Sequence, residues 1–332
     1  DEYRNHKKAL LHSYNNNAIG HEANWIWVTE SSRRKITLQS NKQNQLGFFA
    51  MKSKNLVEIE DCFVARKEIS DLILPLKNLV KKLNVNSLSK VTITSFDNGL
   101  DILFFTHKEF NSLQTLKISE FAQKHNANIS NCINGEIFPI LILRKNQIHF
   151  DKLKINLDSD IFIQATKEGA VEISQIISDF LKRNTNIQKI ADIYSGFGSY
   201  AFAISDAVKS ISAFEGSAKM TSLITKNANQ NGLNSKISAQ NRDLFLNPIK
   251  SKELEKFDLA IINPPRTGAN PQILQIANSN LQNLIYISCN PKTFFADAKI
   301  LLAKNFKVES FYAIDQFYGT NHIETITIFT KS

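Results

Sequence analysis

Four stretches in the second half of the chain carry residue types that can do chemistry. Ser288-Cys289-Asn290-Pro291 sets a thiol, a strong side-chain nucleophile, between two polar residues. Most lone cysteines are small buried hydrophobes. This one follows an apolar run from Leu284, and its polar neighbours favour exposure into a cleft. Asn263-Pro264-Pro265-Arg266 follows another apolar run, Phe257 to Ile262. Its two prolines fix the backbone and remove two N–H donors, which leaves the preceding carbonyls and the Asn263 side chain to face a ligand. A rigid strand-to-helix turn would account for the same tetrapeptide. Asp192-Ile193-Tyr194-Ser195-Gly196-Phe197-Gly198-Ser199-Tyr200-Ala201 sits between a strand pattern and a helix pattern. Gly196 and Gly198 permit a tight turn and close backbone approach to a ligand. Glu215 ends the next apolar run, where a carboxylate can accept hydrogen bonds from both ribose hydroxyls of a nucleotide. The loop therefore reads as a site for an adenosine-containing cofactor. Gly196-x-Gly198-x-x-Ala201 also satisfies the relaxed dinucleotide fingerprint, so the loop alone leaves the choice of cofactor open. His322 and Glu324 open the last strand pattern, on the same edge.

These groups need a scaffold that brings strand ends together, and the second half supplies the pattern for one. Strands are expected at Ile190–Tyr194, Ser210–Phe214, Lys236–Ala239, Phe257–Ile262, Leu284–Ser288, Phe306–Ala313 and Glu324–Phe329, with helices at Ile173–Leu181 and Met220–Asn231. Such alternation predicts an α/β, mostly parallel, doubly wound sheet, in which ligands bind outside the carboxyl ends of the strands. The first half is less regular. Arg34–Leu38 and Leu46–Ala50 predict a hairpin around Asn41–Asn44. Val91–Ser95 and Asp101–Thr106 predict another around Asp97-Asn98-Gly99, a strong turn signal. Ile69–Leu83 reads as a helix interrupted by Pro75, and Phe110–Lys124 as a second helix. Ile137–Leu143 and Gln147–Leu153 suggest further strands. The expected division is a smaller α+β domain at 1–155 and the catalytic domain at 156–332.

Bulk properties set the class. A chain of 332 residues suits about two domains of roughly 100–200 residues. No window approaches the ~18 consecutive apolar residues of a membrane span. The start, Asp1-Glu2-Tyr3-Arg4, has neither an initiator Met nor a signal-peptide pattern, as expected of a trimmed chain. Cys62, Cys132 and Cys289 lie too far apart for a disulfide framework or a zinc spacing, which suits a reducing cytoplasm. Net charge is +9, and residues 1–150 hold 20 Lys/Arg against 14 Asp/Glu. A basic surplus favours a polyanionic partner, although it also simply keeps a protein soluble.

From about Ile161 to Phe329 the chain resembles the RNA uracil-5-methyltransferase family, which includes tRNA and 23S ribosomal RNA enzymes. Five motifs match in order: Phe162-Ile163-Gln164, Asp192 to Gly198, Asn263 to Arg266, Ser288 to Pro291, and Asp315-Gln316-Phe317 followed by His322-Ile323-Glu324-Thr325. The resemblance implies a Rossmann-like S-adenosylmethionine-dependent methyltransferase domain. It implies S-adenosylmethionine contacts at Gln164, Tyr194, Ser199, Glu215, Asp243 and Asn263, beside the loop glycines Gly196 and Gly198. It also implies Cys289 as nucleophile and Glu324 as general base. Asn263 stands where an Asp is common and Ser199 where an Asn is common; both still hydrogen-bond, without the carboxylate charge. The chemistry accounts for this set of groups. Carbon 5 of uracil is a weak nucleophile; a thiolate adding to carbon 6 gives it carbanion character, and a base then removes its proton. The target base must leave its stack, so a loop or flipped nucleotide is expected.

The first half resembles the central domain of the ribosomal RNA branch through Arg33-Arg34-Lys35, Leu46-Gly47-Phe48-Phe49 and Glu60-Asp61-Cys62-Phe63-Val64. In that branch a cysteine at the position of Cys62 ligates a 4Fe-4S cluster whose other three ligands would precede Asp1; a buried apolar thiol is the competing reading. Cys132 reads as structural. The Arg33-Arg34-Lys35 cluster is expected to touch RNA phosphates. The expected partner is RNA, ribosomal RNA ahead of tRNA, with no membrane and a monomeric chain. The competing readings are a tRNA uridine-5-methyltransferase and a base N-methyltransferase using Asn-Pro-Pro. The latter would usually place an aromatic where Arg266 stands and would have no need of Cys289. A nicotinamide dehydrogenase leaves both motifs unexplained, and a non-catalytic RNA-binding relic should have lost Cys289 or Glu324.

Overall fold

The computed structural model describes residues 2–15, 18–85 and 87–331. In chain order its elements begin with α1 (Glu2–Asn15) and β1 (Asn24–Trp27). There follow β2 (Lys35–Ser40), β3 (Leu46–Phe49), β4 (Leu56–Glu58), α2 (Lys67–Leu83), β5 (Leu88–Phe96), β6 (Gly99–Thr106), α3 (Ser112–Lys124), β7 (Ala127–Ile133), β8 (Glu136–Leu141), β9 (Asn146–Phe150) and β10 (Leu153–Leu157). The second half runs α4 (Lys167–Arg183), β11 (Lys189–Ile193), α5 (Ser199–Ala203), β12 (Ser210–Glu215), α6 (Ala218–Gln230), β13 (Ile237–Asn241), α7 (Ser251–Leu254), β14 (Leu259–Ile262), α8 (Gln272–Ala277), β15 (Asn283–Ser288), α9 (Pro291–Leu302), β16 (Phe306–Asp315) and β17 (Glu324–Lys331).

Two units result. The α/β unit comprises Asp1–Val28, Phe150–Leu153 and Glu168–Ser332. The α+β unit comprises Thr29–His149 and Lys154–Lys167. This corrects the expected simple cut near residue 155. The first 28 residues belong with the α/β unit because β1 adds in parallel to the far edge of its sheet, with Asn24 opposite Tyr312 and Trp27 opposite Asp315.

The α/β sheet has the order β1-β16-β17-β15-β14-β11-β12-β13. Its central strands are apolar because helices cover both faces: Leu259 to Ile262 and Leu284 to Ile287 are all 0% exposed. β17 runs antiparallel to both β15 and β16, and the remaining neighbours are parallel. Strand order reverses between β11 and β14, so the crevice outside their carboxyl ends is where a ligand is expected. The loop after β11 carries Tyr194 to Gly198 and the loop after β14 carries Asn263 to Arg266.

The α+β unit is built on the sheet β4-β3-β2-β5-β6-β7-β8, with β9 and β10 paired separately. The two expected hairpins appear as β2–β3 and β5–β6. Helix α2 continues without a break past Pro75, against the expected interruption. Losing one helical hydrogen bond is outweighed here by packing, since Ile69, Leu72, Ile73, Leu76, Leu79, Val80 and Leu83 are all buried on one core.

Candidate active site

The turn after β11 is built from left-handed residues. Tyr194 (φ 60°), Gly196 (φ 56°) and Gly198 (φ 83°) all have positive φ. Glycine adopts this at little cost, whereas Tyr194 carries roughly 1–2 kcal/mol of strain. The turn is held by Glu215 at the end of β12. Its Oε2 accepts the Gly196 N–H at 3.0 Å and its Oε1 accepts the Ser217 N–H at 2.9 Å. A side chain at Gly198 would stand 3.2 Å from Ile224 and 3.3 Å from Phe202, so a glycine there lets the chain pack closely. At Gly196 the same direction is open space. Asp192, buried beneath the turn, has its carboxyl pushed up to about 7 by burial, against the Ala201 N–H and together with the charge of Glu215. That N–H faces the carboxylate without a hydrogen bond of normal geometry. Across the crevice Asn263 Nδ2 lies 3.4 Å from the Tyr200 hydroxyl, and the Asn263 N–H donates to the Ile193 carbonyl at 3.2 Å. Asp243 is exposed and caps its own turn, accepting the Phe245 and Leu246 N–H groups; the Phe245 ring lies 5.8 Å from that of Tyr194. Ser199 opens α5.

A second cluster forms where β15 ends and β17 begins. Antiparallel register sets Ser288 opposite Thr325, whose hydroxyl donates to the Ser288 carbonyl at 3.2 Å. The next residue on one strand is Cys289, and the preceding residue on the other is Glu324. Cys289 is partly exposed and Glu324 is 2% exposed. Gln316 Nε2 donates to Glu324 Oε2 at 2.9 Å. Burial pushes the Glu324 carboxyl up to about 7, opposed by the Gln316 hydrogen bond and the Arg266 charge. Burial and the Glu324 charge push the Cys289 thiol up, while a hydrogen bond and the positive charge from Arg266 pull it down. Arg266 Nη2 also lies 3.4 Å from His322 Nε2. The Arg266 turn is tied to the cysteine turn, since Asn290 Nδ2 donates to the Arg266 carbonyl at 2.8 Å. A thiol, a near-neutral buried carboxyl and a guanidinium thus share one corner of the sheet edge that carries the glycine turn.

The sequence profile of the tRNA (uracil-5-)-methyltransferase family matches residues 30–332. The chain belongs to that family. Among relatives of this RNA uracil-5-methyltransferase is an uncharacterized RNA methyltransferase from Mesorhizobium japonicum, 30% identical over 306 residues, 90% of this chain and 72% of that protein. Another is the 23S rRNA (uracil(1939)-C(5))-methyltransferase RlmD of Shewanella sp. strain MR-7, 28% identical over 348 residues, 98% of this chain and 76% of that protein. Among solved structures, the fold resembles that of Pyrococcus abyssi tRNA (uracil-54, C5)-methyltransferase in complex with S-adenosyl-L-homocysteine. The TM-score is 0.78 at 19% identity, over 98% of this chain and 82% of that one. The α/β unit is accordingly a Rossmann-like methyltransferase domain, accompanied by a smaller domain.

Within this methyltransferase the structure brings together Tyr194, Gly196, Gly198, Ser199, Glu215 and Asn263 around one turn, and Cys289, Glu324, His322 and Arg266 at the neighbouring strand ends. Gln164 lies in the α+β unit, just before α4. Two pairings are not visible in the sequence spacing, although both residues sit inside its motifs. They are Arg266 against the thiol and Gln316 against Glu324. One expectation is overturned. Arg34 is 2% exposed and ion-paired with Asp97 at 3.2 Å, and the Lys35 amine donates to the Ile161 carbonyl at 3.2 Å. Both side chains serve the interior of the α+β unit, so the triplet does not form a phosphate-binding cluster; Lys52, Lys54, Lys81 and Lys82 are exposed. Cys62 is 8% exposed and packed in the apolar core of that unit. No cluster of three or more His, Cys, Asp or Glu among the described residues could hold a metal ion, so the residues present do not compose an iron–sulfur site. Cys132 is likewise buried. Among the described residues no helix is long and apolar enough to cross a membrane.

Proposed function

We propose that this methyltransferase adds a methyl group to carbon 5 of a uridine in 23S ribosomal RNA, with S-adenosylmethionine as donor and Cys289 as covalent nucleophile. The observation that carries this reading is the Ser288–Thr325 register, which sets a thiol and a carboxyl of raised pKa at adjoining strand ends. The residues of the α/β unit suit the donor. The space at Gly196 is open, Glu215 stands at the turn, and the Tyr194 hydroxyl is buried with no partner among the described residues. Tyr194, Gly196, Gly198, Ser199, Glu215, Asp243 and Asn263 would hold the donor. Gln164 is proposed as a further donor residue on the family resemblance alone. Bound there, S-adenosylmethionine supplies an electrophilic methyl group on a sulfonium.

The protein's own groups do the rest. Arg266 favours the thiolate of Cys289, which adds to carbon 6 of the uracil; the electron pair of the carbon 5–carbon 6 double bond makes carbon 5 nucleophilic. Once carbon 5 carries the methyl, Glu324 removes its proton. The electrons reform the double bond and the carbon 6–sulfur bond breaks, returning the thiolate. A carboxyl titrating near 7 suits this task at neutral pH. Likeness to the RlmD relatives supports ribosomal RNA over tRNA. The test is RNA containing 5-fluorouridine, whose carbon 5 carries no proton to remove. Wild-type protein with S-adenosylmethionine should form a covalent complex on it and Cys289→Ala should not. A wild type that methylates RNA but is never trapped would favour a base N-methyltransferase. Mass spectrometry of 23S rRNA and tRNA from a deletion strain then assigns the substrate.

A further inference from the structure

We propose that Lys7 and Tyr3, on the first helix of the chain, are positioning residues for the general base, an inference that rests on the reading of Glu324 as that base. Strands β16 and β17 form a hairpin whose last paired residues are Ile314 and Glu324. Between Asp315, the last residue of β16, and Glu324, the first of β17, runs a loop from Gln316 to Ile323, and it holds Gln316, which donates to Glu324, and His322, which lies against Arg266. Helix α1 closes this loop from outside. Lys7 is fully buried, and its Nζ makes two bonds, to Asp315 Oδ1 at 2.9 Å and to the His322 carbonyl at 2.6 Å. One ammonium therefore joins the two ends of the loop. The first end immediately precedes Gln316, and the second lies two residues before Glu324. Tyr3 reinforces the same point: its hydroxyl donates to Asp315 Oδ2 at 2.7 Å and accepts the Gly319 N–H at 3.3 Å, and its ring lies 4.7 Å from that of Tyr318.

A cation is a costly way to fill space. Burial lowers the Lys7 pKa, against the hydrogen bond and charge of Asp315, and an apolar side chain of the same volume would often be at least as stable at such a position. What the ammonium adds over a methylene chain is direction, two bonds that fix how far apart the loop ends lie. The catalytic content of this loop and its exit is Gln316, His322 and Glu324. Fixing its ends fixes where the Glu324 carboxylate stands relative to carbon 5 of the adduct. No group of α1 is assigned a contact with RNA, donor or reacting atoms.

The experiment compares Lys7→Met, which keeps length and loses both bonds, with Tyr3→Phe, which loses only the hydroxyl bonds. Two readouts are taken on the full chain with S-adenosylmethionine. Trapping on 5-fluorouridine RNA reports Cys289 and the donor site without proton removal, and turnover on ordinary RNA requires Glu324. Lys7→Met should trap at a rate close to wild type, while its turnover falls by about a hundredfold, the scale of misplacing a catalytic group by about an ångström. Methylated covalent adduct should accumulate, as in Glu324→Gln. A merely structural role would lower trapping and turnover together, and that result overturns the proposal. So does wild-type turnover in Lys7→Met. Should Lys7→Met fail to fold, Tyr3→Phe decides: slowed turnover with intact trapping supports the proposal, and unchanged turnover overturns it. If Glu324→Gln itself turns over without adduct, the assignment of the base has failed. If Glu324→Gln stalls while Lys7→Met does not, only the positioning role has.

Discussion

Ser288 and Thr325 face each other across the β15–β17 ladder, and the Thr325 hydroxyl closes on the Ser288 carbonyl at 3.2 Å. Because the strands are antiparallel, the residue leaving one and the residue entering the other come to the same edge. Those residues are Cys289 and Glu324, and their proposed roles fall at different steps. Cys289→Ala should abolish methyl transfer. Glu324→Gln should transfer the methyl and then stall as a covalent protein–RNA adduct, because elimination needs proton removal. On a denaturing gel with radiolabelled donor, a slow labelled band should appear for Glu324→Gln and be absent for Cys289→Ala. Full activity in Cys289→Ala would remove the covalent mechanism. A folded, RNA-binding Glu324→Gln without adduct would pass the base role to a neighbour, His322 first.

The same carboxyl predicts a pH dependence. Glu324 has its pKa raised to about 7, chiefly by burial. Below that value it is protonated and cannot accept the carbon 5 proton; above it the carboxylate is available. One pH unit below its pKa only about a tenth remains ionised, so resolution of preformed methylated adduct should slow about tenfold per unit as pH falls beneath about 7, and level off above. Starting from preformed adduct isolates this step from thiolate formation. A decay rate flat from pH 6 to 8 would contradict the assignment.

Glu215 should matter to donor binding through both its charge and its hold on the turn. Its carboxylate accepts the Gly196 and Ser217 N–H groups. Glu215→Ala should weaken S-adenosylmethionine binding by roughly 1–3 kcal/mol, the cost of leaving polar partners unpaired. Calorimetry on a folded variant checks this, and unchanged affinity would move the ribose contact elsewhere.

Much of this architecture could be read from local pattern. The runs Phe257–Ile262 and Leu284–Ser288 stand out because a strand buried on both faces is apolar throughout, and Asp97-Asn98-Gly99 marks its hairpin. What local pattern omits is partnership at long range. Asn24-Trp25-Ile26-Trp27 has too few residues to announce a strand, and its partner β16 lies at the other end of the chain. Charge shows the same limit. Arg34 looks like a surface cation until Asp97 is found beside it, and Arg266 looks like a turn residue until the thiol is found beside it. Pro75 misleads in the opposite direction, since a breaker signal is local and the core that overrides it is not.

The Arg34–Asp97 pair gives a prediction that separates stability from RNA binding. Both side chains are 3% exposed. Burial would raise the Asp97 carboxyl, but the His149 N–H, Arg34 and Lys167 hold it below its ordinary value. Removing Arg34 leaves Asp97 with Lys167 and the His149 N–H as its remaining partners, so Arg34→Ala should destabilise the protein by about 1.5–3 kcal/mol, the scale of a lost hydrogen bond to a charged group. Because Asp97 is depressed, its contribution is fully present above the ordinary carboxylate range and is lost as pH falls below that range and through Asp97's own lower value. Arg34→Ala that remains folded should leave the salt dependence of RNA binding unaltered, whereas a residue that neutralises a phosphate contributes about one unit of slope. A shallower slope would return Arg34 to the RNA surface.

The last prediction concerns the thiol itself. Cys289 feels Glu324 and Arg266 with opposite sign: the carboxylate raises its pKa and the guanidinium lowers it, on top of burial, which raises it most. The two neighbours should therefore be separable by substitution. Glu324→Gln removes a negative charge and should let the thiol ionise at lower pH than in the wild type. Arg266→Gln removes the opposing positive charge and should drive ionisation to higher pH, slowing adduct formation at neutral pH. The rate of alkylation by iodoacetamide against pH reports the thiolate directly. Cys62 and Cys132 are buried, and mass spectrometry of the labelled peptide confines the signal to Cys289. If the two variants shift the curve in opposite directions, both charges act on the sulfur. If Arg266→Gln leaves it in place while adduct formation still slows, Arg266 acts on the RNA and not on the thiol. Removing Glu324 and Arg266 together should bring the curve back toward the wild type, because burial alone then sets the shift.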